Sequence, residues 1–532
     1  MTPKKQTFLH GTMLLALSTA IVKVIGAFYS IPLKQIIGDE SFGYYSTAYE
    51  IYTLLLMIST AGLPVAMSRM ISQASSLGHY RQLRKIYTVS RTIFLSLGIA
   101  GTLLMTVFCR QLAIFQEQPD AWAAIGTLGP CCLFICLMST YRGFFQGQSN
   151  MKPTSVSQVL EAICKLIVGL GAAILLVRFS GEKAYPAAGA IFGVTLSCVI
   201  SSVYLKACFQ KAYQDIPETA EPVSSGKEIA KSLLAIAIPI TIGSAGLQLL
   251  TVLETKIYMG QLLQTMTQNQ ADIQKGIYNF TQKIFNMPCA FITPITISVI
   301  PAITAQITTG DHKAAKITEE SAARITGLIS APCAIGLFLL AEPIVSLLGG
   351  YTGERLTLAT NLMSILGLCI LFNGVVLFTN AVMQAHGHVT LPVVNMFIGG
   401  VLKLVAVFFL TGNVQIGILG TPIGSLLCYV AITVLNLFSI RRVFPNPPAI
   451  AKNLLKSLLA ALVMGAFAWG SWQGLVYLTG GNLSRVIACA VPIAVAAPVY
   501  ILAAVKFRAI TYEDCLLLPK GEKVAKLLKL SK

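Results

Sequence analysis

Apolar runs of about twenty residues or more recur along the whole chain. A helix needs about 20 residues to cross roughly 30 Å of hydrocarbon, so these runs dictate an all-α polytopic membrane protein. A transmembrane barrel is excluded, because its short strands alternate apolar and polar residues and these runs are continuous. Only 11% of the 532 residues are charged, against about 25% in a soluble domain. The first run, from about Phe8 to Ile31, follows Lys4 and Lys5 as the core of a signal peptide would. It is too long for one and more spans follow, so it reads as an uncleaved first helix.

Fourteen spans are expected near 8–31, 44–66, 86–109, 121–145, 154–178, 185–208, 232–258, 276–303, 322–347, 357–383, 389–411, 416–440, 453–478 and 484–505. Loops alternating to the side of the N-terminus take most of the 39 Lys and Arg residues. The opposite side takes only Lys34, Arg110, Arg178, Lys183, Lys275, Arg355 and Arg485. Basic loops stay inside, so both termini are expected in the cytoplasm. The net charge of +18 is then mostly an inner-surface bias that attracts anionic membrane lipids and calls for no nucleic acid.

The two halves resemble each other. Gln146-Gly-Gln-Ser-Asn-Met-Lys-Pro leads to Lys165-Leu166, and Gln384-Ala-His-Gly-His-Val-Thr-Leu-Pro leads to Lys403-Leu404. Gly78-His-Tyr-Arg similarly matches Gly310-Asp-His-Lys. An offset of six helices preserves orientation, giving parallel repeats related by an axis along the membrane normal. The expected organisation is a six-helix lobe over 1–215, a second over 216–445, and two extra helices with a basic cytoplasmic tail over 446–532. Substrate sites in such proteins lie between lobes near the midplane.

Charges inside spans are the functional candidates. A cation at mid-membrane costs roughly 2.5–3.5 kcal/mol on insertion scales. Lys23 lies mid-helix between Val22 and Val24, Lys283 two turns inside the eighth span, and Lys403 in the eleventh. Several such lysines imply a positive cavity and an anionic cargo. Glu161 and Lys165 are spaced i,i+4 and can neutralise each other on one face; Lys403 has Gly399 in place of that acid. Glu50 can pair with Lys23, bind a coupling cation or carry a proton. Lys256 lies near a helix end, where it can snorkel. Pro64, Pro288, Pro294 and Pro301 would bend their helices. Arg142 reads as an inner-end residue at the lipid headgroup level. The cysteines show no Cys-x-x-Cys pair and most fit as small buried hydrophobes, while His386-Gly-His388 reads as a solvated loop. No metal site, cofactor or nucleotide motif is expected, and no nucleophile–base pair suggests an enzyme.

The runs Val22-Lys-Val-Ile-Gly-Ala-Phe-Tyr-Ser-Ile-Pro-Leu, Ser59-Thr-Ala-Gly-Leu-Pro-Val-Ala, Arg142-Gly-Phe-Phe-Gln-Gly and Pro153-Thr-Ser-Val-Ser-Gln-Val-Leu-Glu carry a family resemblance. The chain resembles polysaccharide flippases of the multidrug/oligosaccharidyl-lipid/polysaccharide superfamily, in the MurJ-type lipid II flippase and stage V sporulation protein B groups. The resemblance implies a MATE/MurJ-like fold of fourteen helices, the last two forming a groove for a lipid tail. It implies inward-to-outward flipping of an undecaprenyl-pyrophosphate-linked saccharide, lipid II or a close relative, by alternating access. It places essential cations on helices one and eight, where this chain has Lys23 and Lys283. Lysine binds phosphate without arginine's bidentate fork. The resemblance also exposes departures: Tyr29 replaces a second first-helix cation, Leu56 and Met57 stand near a missing helix-two arginine, and Gln282 replaces the acid beside the eighth-helix cation.

The expected function is therefore a flippase in the bacterial plasma membrane, with Lys23 and Lys283 on the pyrophosphate and Lys403 in support. Its expected partners are that lipid-linked glycan, anionic lipids and cell-wall synthesis enzymes, with the chain itself a monomer. One rival is a MATE-like cation-coupled drug antiporter using Glu50 or Glu161, another a flippase for a different cell-surface polysaccharide precursor, and a third a non-transporting scaffold for cell-wall enzymes.

Overall fold

The computed structural model describes residues 8–217, 221–444, 446–480 and 484–511, with side chains described at all of these except 8–17, 20, 23, 24, 27, 294–298, 301 and 302. The basic tail expected after residue 511 lies outside the described residues. The described chain is helical without strands: α1 (Phe8–Thr60), α2 (Leu63–Ser76), α3 (Tyr80–Val107), α4 (Cys109–Phe115), α5 (Trp122–Gly147), α6 (Lys152–Phe179), α7 (Ala184–Gln214), α8 (Gly226–Leu262), α9 (Gln268–Thr308), α10 (His312–Leu339), α11 (Ala341–Gly349), α12 (Gly353–Ala385), α13 (Thr390–Thr411), α14 (Gly420–Val443), α15 (Ile450–Thr479) and α16 (Arg485–Lys506).

Among the described residues, 12 helical stretches are long and apolar enough to cross a membrane. The arm of α1 before its break and α9 are further long helices, so the architecture is consistent with the fourteen spans expected. The break is Gly38, at φ 78° and ψ 175°, a backbone that glycine adopts without a Cβ penalty. The second span ends earlier than its apolar run suggests. Helix stops at Thr60 and restarts at Leu63, with Pro64 in the first turn of α2, where its missing N–H costs nothing. Pro64 thus starts a helix instead of bending one. Gly62 in that gap is obligatory, since a Cβ there would lie 2.1 Å from the Ala237 carbonyl oxygen of α8.

Packing divides the chain into two units, Met1–Asn279 and Phe280–Lys532, and the division falls inside α9. This differs from the lobe boundary at 215/216 expected from helix count, because α8 packs on α1, α2 and α3. The internal repeat is visible within each unit separately. In the first, α3 packs on α5, α5 on α7 and α6 on α7; in the second, α10 packs on α12, α12 on α14 and α13 on α14.

The repeat extends to hydrogen bonds at the helix ends. Gly78 (φ 73°) and Gly310 (φ 78°) are both left-handed, and the N–H after each reaches back five residues, His79 to Ala74 and Asp311 to Gln306. Ser149 (φ 58°) and Gly387 (φ 84°) repeat the pattern, with Asn150 bonding to Phe145 and His388 to Met383. Each is a Schellman stop that satisfies otherwise orphaned carbonyls. The second stop also settles the histidines. His386 is only partly solvated: its side chain is 21% exposed, bonds Glu319 at 2.7 Å and stacks on Phe444 at 3.9 Å.

Large apolar side chains such as Phe28, Phe179, Phe409 and Leu502 are exposed, as expected where the surrounding solvent is lipid. Interiors instead use small residues, the usual device where helices associate without a hydrophobic drive. A Cβ on Gly193 would come 2.3 Å from the Cα of Gly169, so α6 and α7 touch backbone to backbone. The two C-terminal helices have no counterpart in the first unit; α15 packs on α10 and α16 on α15 and α11.

Candidate functional site

A polar cavity of about 290 Å³ opens within the first unit between α1, α5 and α6. The hairpin of α5 and α6 builds one wall. Arg142 lies about as far before their turn as Ser157 lies after it, so the two meet across the hairpin. Arg142 Nε donates to Ser157 Oγ at 3.1 Å and its Nη2 to Glu161 Oε2 at 3.1 Å. Arg142 is therefore a cavity residue, with its side chain only 19% exposed. Glu161 takes it as ionic partner.

One helical turn beyond Glu161, Lys165 lines the same cavity. Its Nζ donates to Tyr49 Oη at 2.8 Å and lies 4.9 Å from the Tyr29 ring centre and 4.6 Å from that of Tyr49. Electron-rich ring faces attract a desolvated cation by about 2 kcal/mol, so α1 helps hold the ammonium at the wall. Tyr29, which stands where the resemblance calls for a cation, instead presents one from α6. It is itself fixed by a bond from its hydroxyl to the Ala190 carbonyl at 3.3 Å. The cavity carries two cations and one anion from these residues, a net positive charge.

On α1, Thr19, Val22, Ile25 and Gly26 also line the cavity. Lys23 follows Val22 on α1, and its side chain lies outside the described residues. Glu50 sits on the other arm of α1, where Thr255 Oγ1 of α8 donates to its Oε2 at 2.7 Å.

The second unit holds the other two candidate lysines. Lys283 is half-buried on α9, next to Ile284, which lines a second cavity. Lys403 is half-buried on α13, close enough to Cys369 and Tyr429 for its charge to act on both. The second cavity, about 700 Å³, is apolar and runs between α9, α10, α11, α15 and α16, with Met287, Pro332, Leu340, Met464, Ile493 and Ile501 on its walls. No group of three or more potential metal-ligating side chains exists among the described residues.

The sequence pattern of the family described as "Polysaccharide biosynthesis protein" matches residues 8–306, and that of the MatE family matches residues 258–409. Stage V sporulation protein B of Bacillus subtilis (strain 168) is 25% identical over 97% of this chain and 98% of its own length. The lipid II flippase MurJ of the same organism is 25% identical over 86% of each chain. The solved structure of a lipid II flippase MurJ in an inward closed conformation matches with TM-score 0.69 at 15% identity, covering 93% of this chain and 99% of that one. An inward-facing multidrug resistance MATE family transporter matches with TM-score 0.61 at 16% identity, covering 80% and 98%. These two likenesses establish the fold, a MurJ/MATE-like helical membrane architecture.

Proposed function

The chain belongs to the polysaccharide biosynthesis protein family, and we propose that within it this protein is a flippase for a polyprenyl-pyrophosphate-linked saccharide, lipid II or a close relative, moved from the inner to the outer leaflet of the bacterial plasma membrane by alternating access. The observation that carries the reading is the polar cavity of the first unit, where Lys165 and Arg142 outnumber Glu161. A pyrophosphate offers several acceptor oxygens to such donors, and hydrogen bonds between charged partners contribute about 1.5–3 kcal/mol each. Lys23 on α1, and Lys283 and Lys403 on α9 and α13, are the other proposed anion-binding residues, as charges set inside spans. The apolar cavity against α15 and α16 fits the chemistry of a polyprenyl tail. The distribution of basic loops supports a cytoplasmic position for both termini.

The test is an exposure assay in cells depleted of their own lipid II flippase. Expression of this chain restores lipid II at the outer surface, and Lys23→Ala or Lys283→Ala abolishes the rescue at equal membrane level. Full rescue by both variants would sink the assignment of these lysines. No rescue by the wild-type chain, with protein in the membrane, would redirect the reading to another lipid-linked glycan. The antiporter reading draws on the MatE match and on Glu50, and would be favoured by drug export that requires Glu50.

A further inference from the structure

The seam between α1 and α6 is tight at one level and loose at the next. At Tyr29 it is closed: a Cβ on Gly169 of α6 would lie 2.7 Å from the Tyr29 hydroxyl. About one turn earlier on α1, Gly26 lines the polar cavity, and a Cβ there would meet nothing within 4 Å. Closer to the start of α1, the same two helices also form an apolar groove of about 370 Å³, walled by Ser18 and Ile21 of α1 and by Val156, Val159, Leu160 and Ile163 of α6. Ile21, Val156 and Ile163 are exposed, so the groove faces lipid. Gln158 lines the cavity and Ser18 the groove, and Ser18 Oγ donates to Gln158 Oε1 at 3.3 Å. A neutral hydrogen bond therefore stands between a charged cavity and a lipid-facing groove.

A charged pocket joined to an apolar groove fits a single amphiphile. Charge identifies its head. Arg142, Lys165 and Glu161 sum to one positive charge in the cavity, which one phosphodiester neutralises, and an uncompensated charge away from water is costly. Volume narrows the choice. A cavity of about 290 Å³ is at the low end for a small-molecule site, room for a phosphate and its glycerol but not for a saccharide. The groove runs from Val156 to Ile163, about 10 Å of helix at a rise of about 1.5 Å per residue, and takes a stretch of one hydrocarbon chain. Anionic lipids gather beside basic loops, so the leaflet next to such loops supplies the ligand.

We propose that the α1–α6 seam binds one anionic phospholipid, its phosphate in the polar cavity against Arg142 and Lys165 and one acyl chain in the groove beyond Ser18 and Gln158. The lipid neutralises the cavity while no cargo is bound, and the cargo displaces it from the same phosphate donors. The inference rests on the anion-binding reading of the cavity given above and adds a second ligand to it.

The test uses purified full-length protein in phosphatidylcholine nanodiscs carrying a minor fraction of phosphatidylglycerol. Benzoylphenylalanine replaces Ile163 in the groove or, as control, Ile167, which is exposed one turn further along α6 and does not line the groove. Captured lipids are identified by mass after illumination. At position 163 phosphatidylglycerol is captured about tenfold above its share of the bilayer, the factor that one charge-assisted hydrogen bond supplies; at position 167 it is captured in proportion. Lys165→Met brings position 163 back towards proportion. Proportional capture at 163 in the otherwise unaltered protein would mean adventitious lipid only and would overturn the proposal, as would an enrichment that survives Lys165→Met. Enrichment of undecaprenyl phosphate but not of phosphatidylglycerol would give the groove to the cargo and overturn it too. Where Lys165→Met does not fold, Leu160→Trp, which fills the groove, is the second variant: it lowers the enrichment at 163, and an unchanged enrichment overturns the proposal. No lipid II is present, so failure here and failure of the exposure assay are separate results.

Discussion

Lys165 on α6 and Lys403 on α13 hold matching places in the two repeats, yet their surroundings diverge. One turn before Lys165 stands Glu161, bound to Arg142 across an open polar cavity. One turn before Lys403 stands Gly399, where a Cβ would come 2.4 Å from the Ile432 side chain. The first repeat opened a charged cavity at this level; the second closed α13 onto α14 with a glycine. A duplicated scaffold thus keeps its helix stops and pairings while a few side-chain volumes decide which copy becomes polar. The second unit's large cavity lies elsewhere, against helices the first unit lacks, and is apolar.

The largest expected effect tests this asymmetry directly. Lys165→Met keeps the stem and removes the charge that faces the cavity. Losing a charge-assisted bond of about 1.5–3 kcal/mol is worth roughly ten- to a hundredfold, so outer-surface exposure of the lipid-linked saccharide falls at least about tenfold at matched expression. Lys403→Met reduces it less, within about threefold, because Lys403 is set in the tighter repeat. Equal losses would break the comparison.

Packing gives the next effect. Gly399→Glu copies the first repeat's acid into the second and drives it into Ile432. Overpacking costs about 1–3 kcal/mol and occasionally more, so the melting temperature falls by several degrees. Gly193→Ala is predicted to cost a similar amount at the backbone contact of α6 and α7. A Gly399→Glu protein as stable as wild type would show that the second repeat can open as the first does.

Much of this was legible in the sequence. The length of the apolar runs showed the all-helical membrane class, and the paired stretches around Lys165 and Lys403 located the repeat. Arg142 was missed because its position in the chain puts it at a helix end, whereas the α5–α6 hairpin folds it back toward Ser157 and Glu161; counting residues outward from the Gln148–Met151 turn would have found it. Lys275, expected in an outer loop but wholly buried, was missed because loop counting treats a polar helix start as solvated. The signal available was local: Asp272, Lys275 and Gly276 fall within about one turn, and glycine beside a charged pair marks a close backbone approach. Tyr29 was noticed as a substitution, but a ring that presents another helix's cation can be recognised only when α1 and α6 are side by side.

Glu161→Gln should separate the cavity's charge from its architecture. The substitution keeps the shape and leaves Arg142 without its anion. Because the pair is partly exposed, with side chains 19% and 29% accessible, the loss is held to about 1 kcal/mol, a drop of about 1 °C. The cavity meanwhile gains a unit of net positive charge, so half-maximal transport requires less of the anionic substrate. A weaker apparent affinity would mean that Glu161 touches the cargo itself and that the cavity is read by polarity as well as charge.

The smallest effect concerns the two matching helix stops. Gly387 meets the left-handed requirement with glycine, and Ser149 meets it with a side chain at φ 58°. A left-handed residue with a Cβ carries about 1–2 kcal/mol of strain, while glycine adds unfolded-state entropy of about 0.4–1 kcal/mol. Ser149→Gly is therefore stabilising by about 0.5 kcal/mol and Gly387→Ala destabilising by about as much, opposite shifts of roughly 0.5 °C in a chain this long. Their signs are the informative quantity. If both substitutions destabilise, the Ser149 side chain contributes to the first repeat beyond its backbone, and the two stops, alike in every backbone bond, would differ in what they hold.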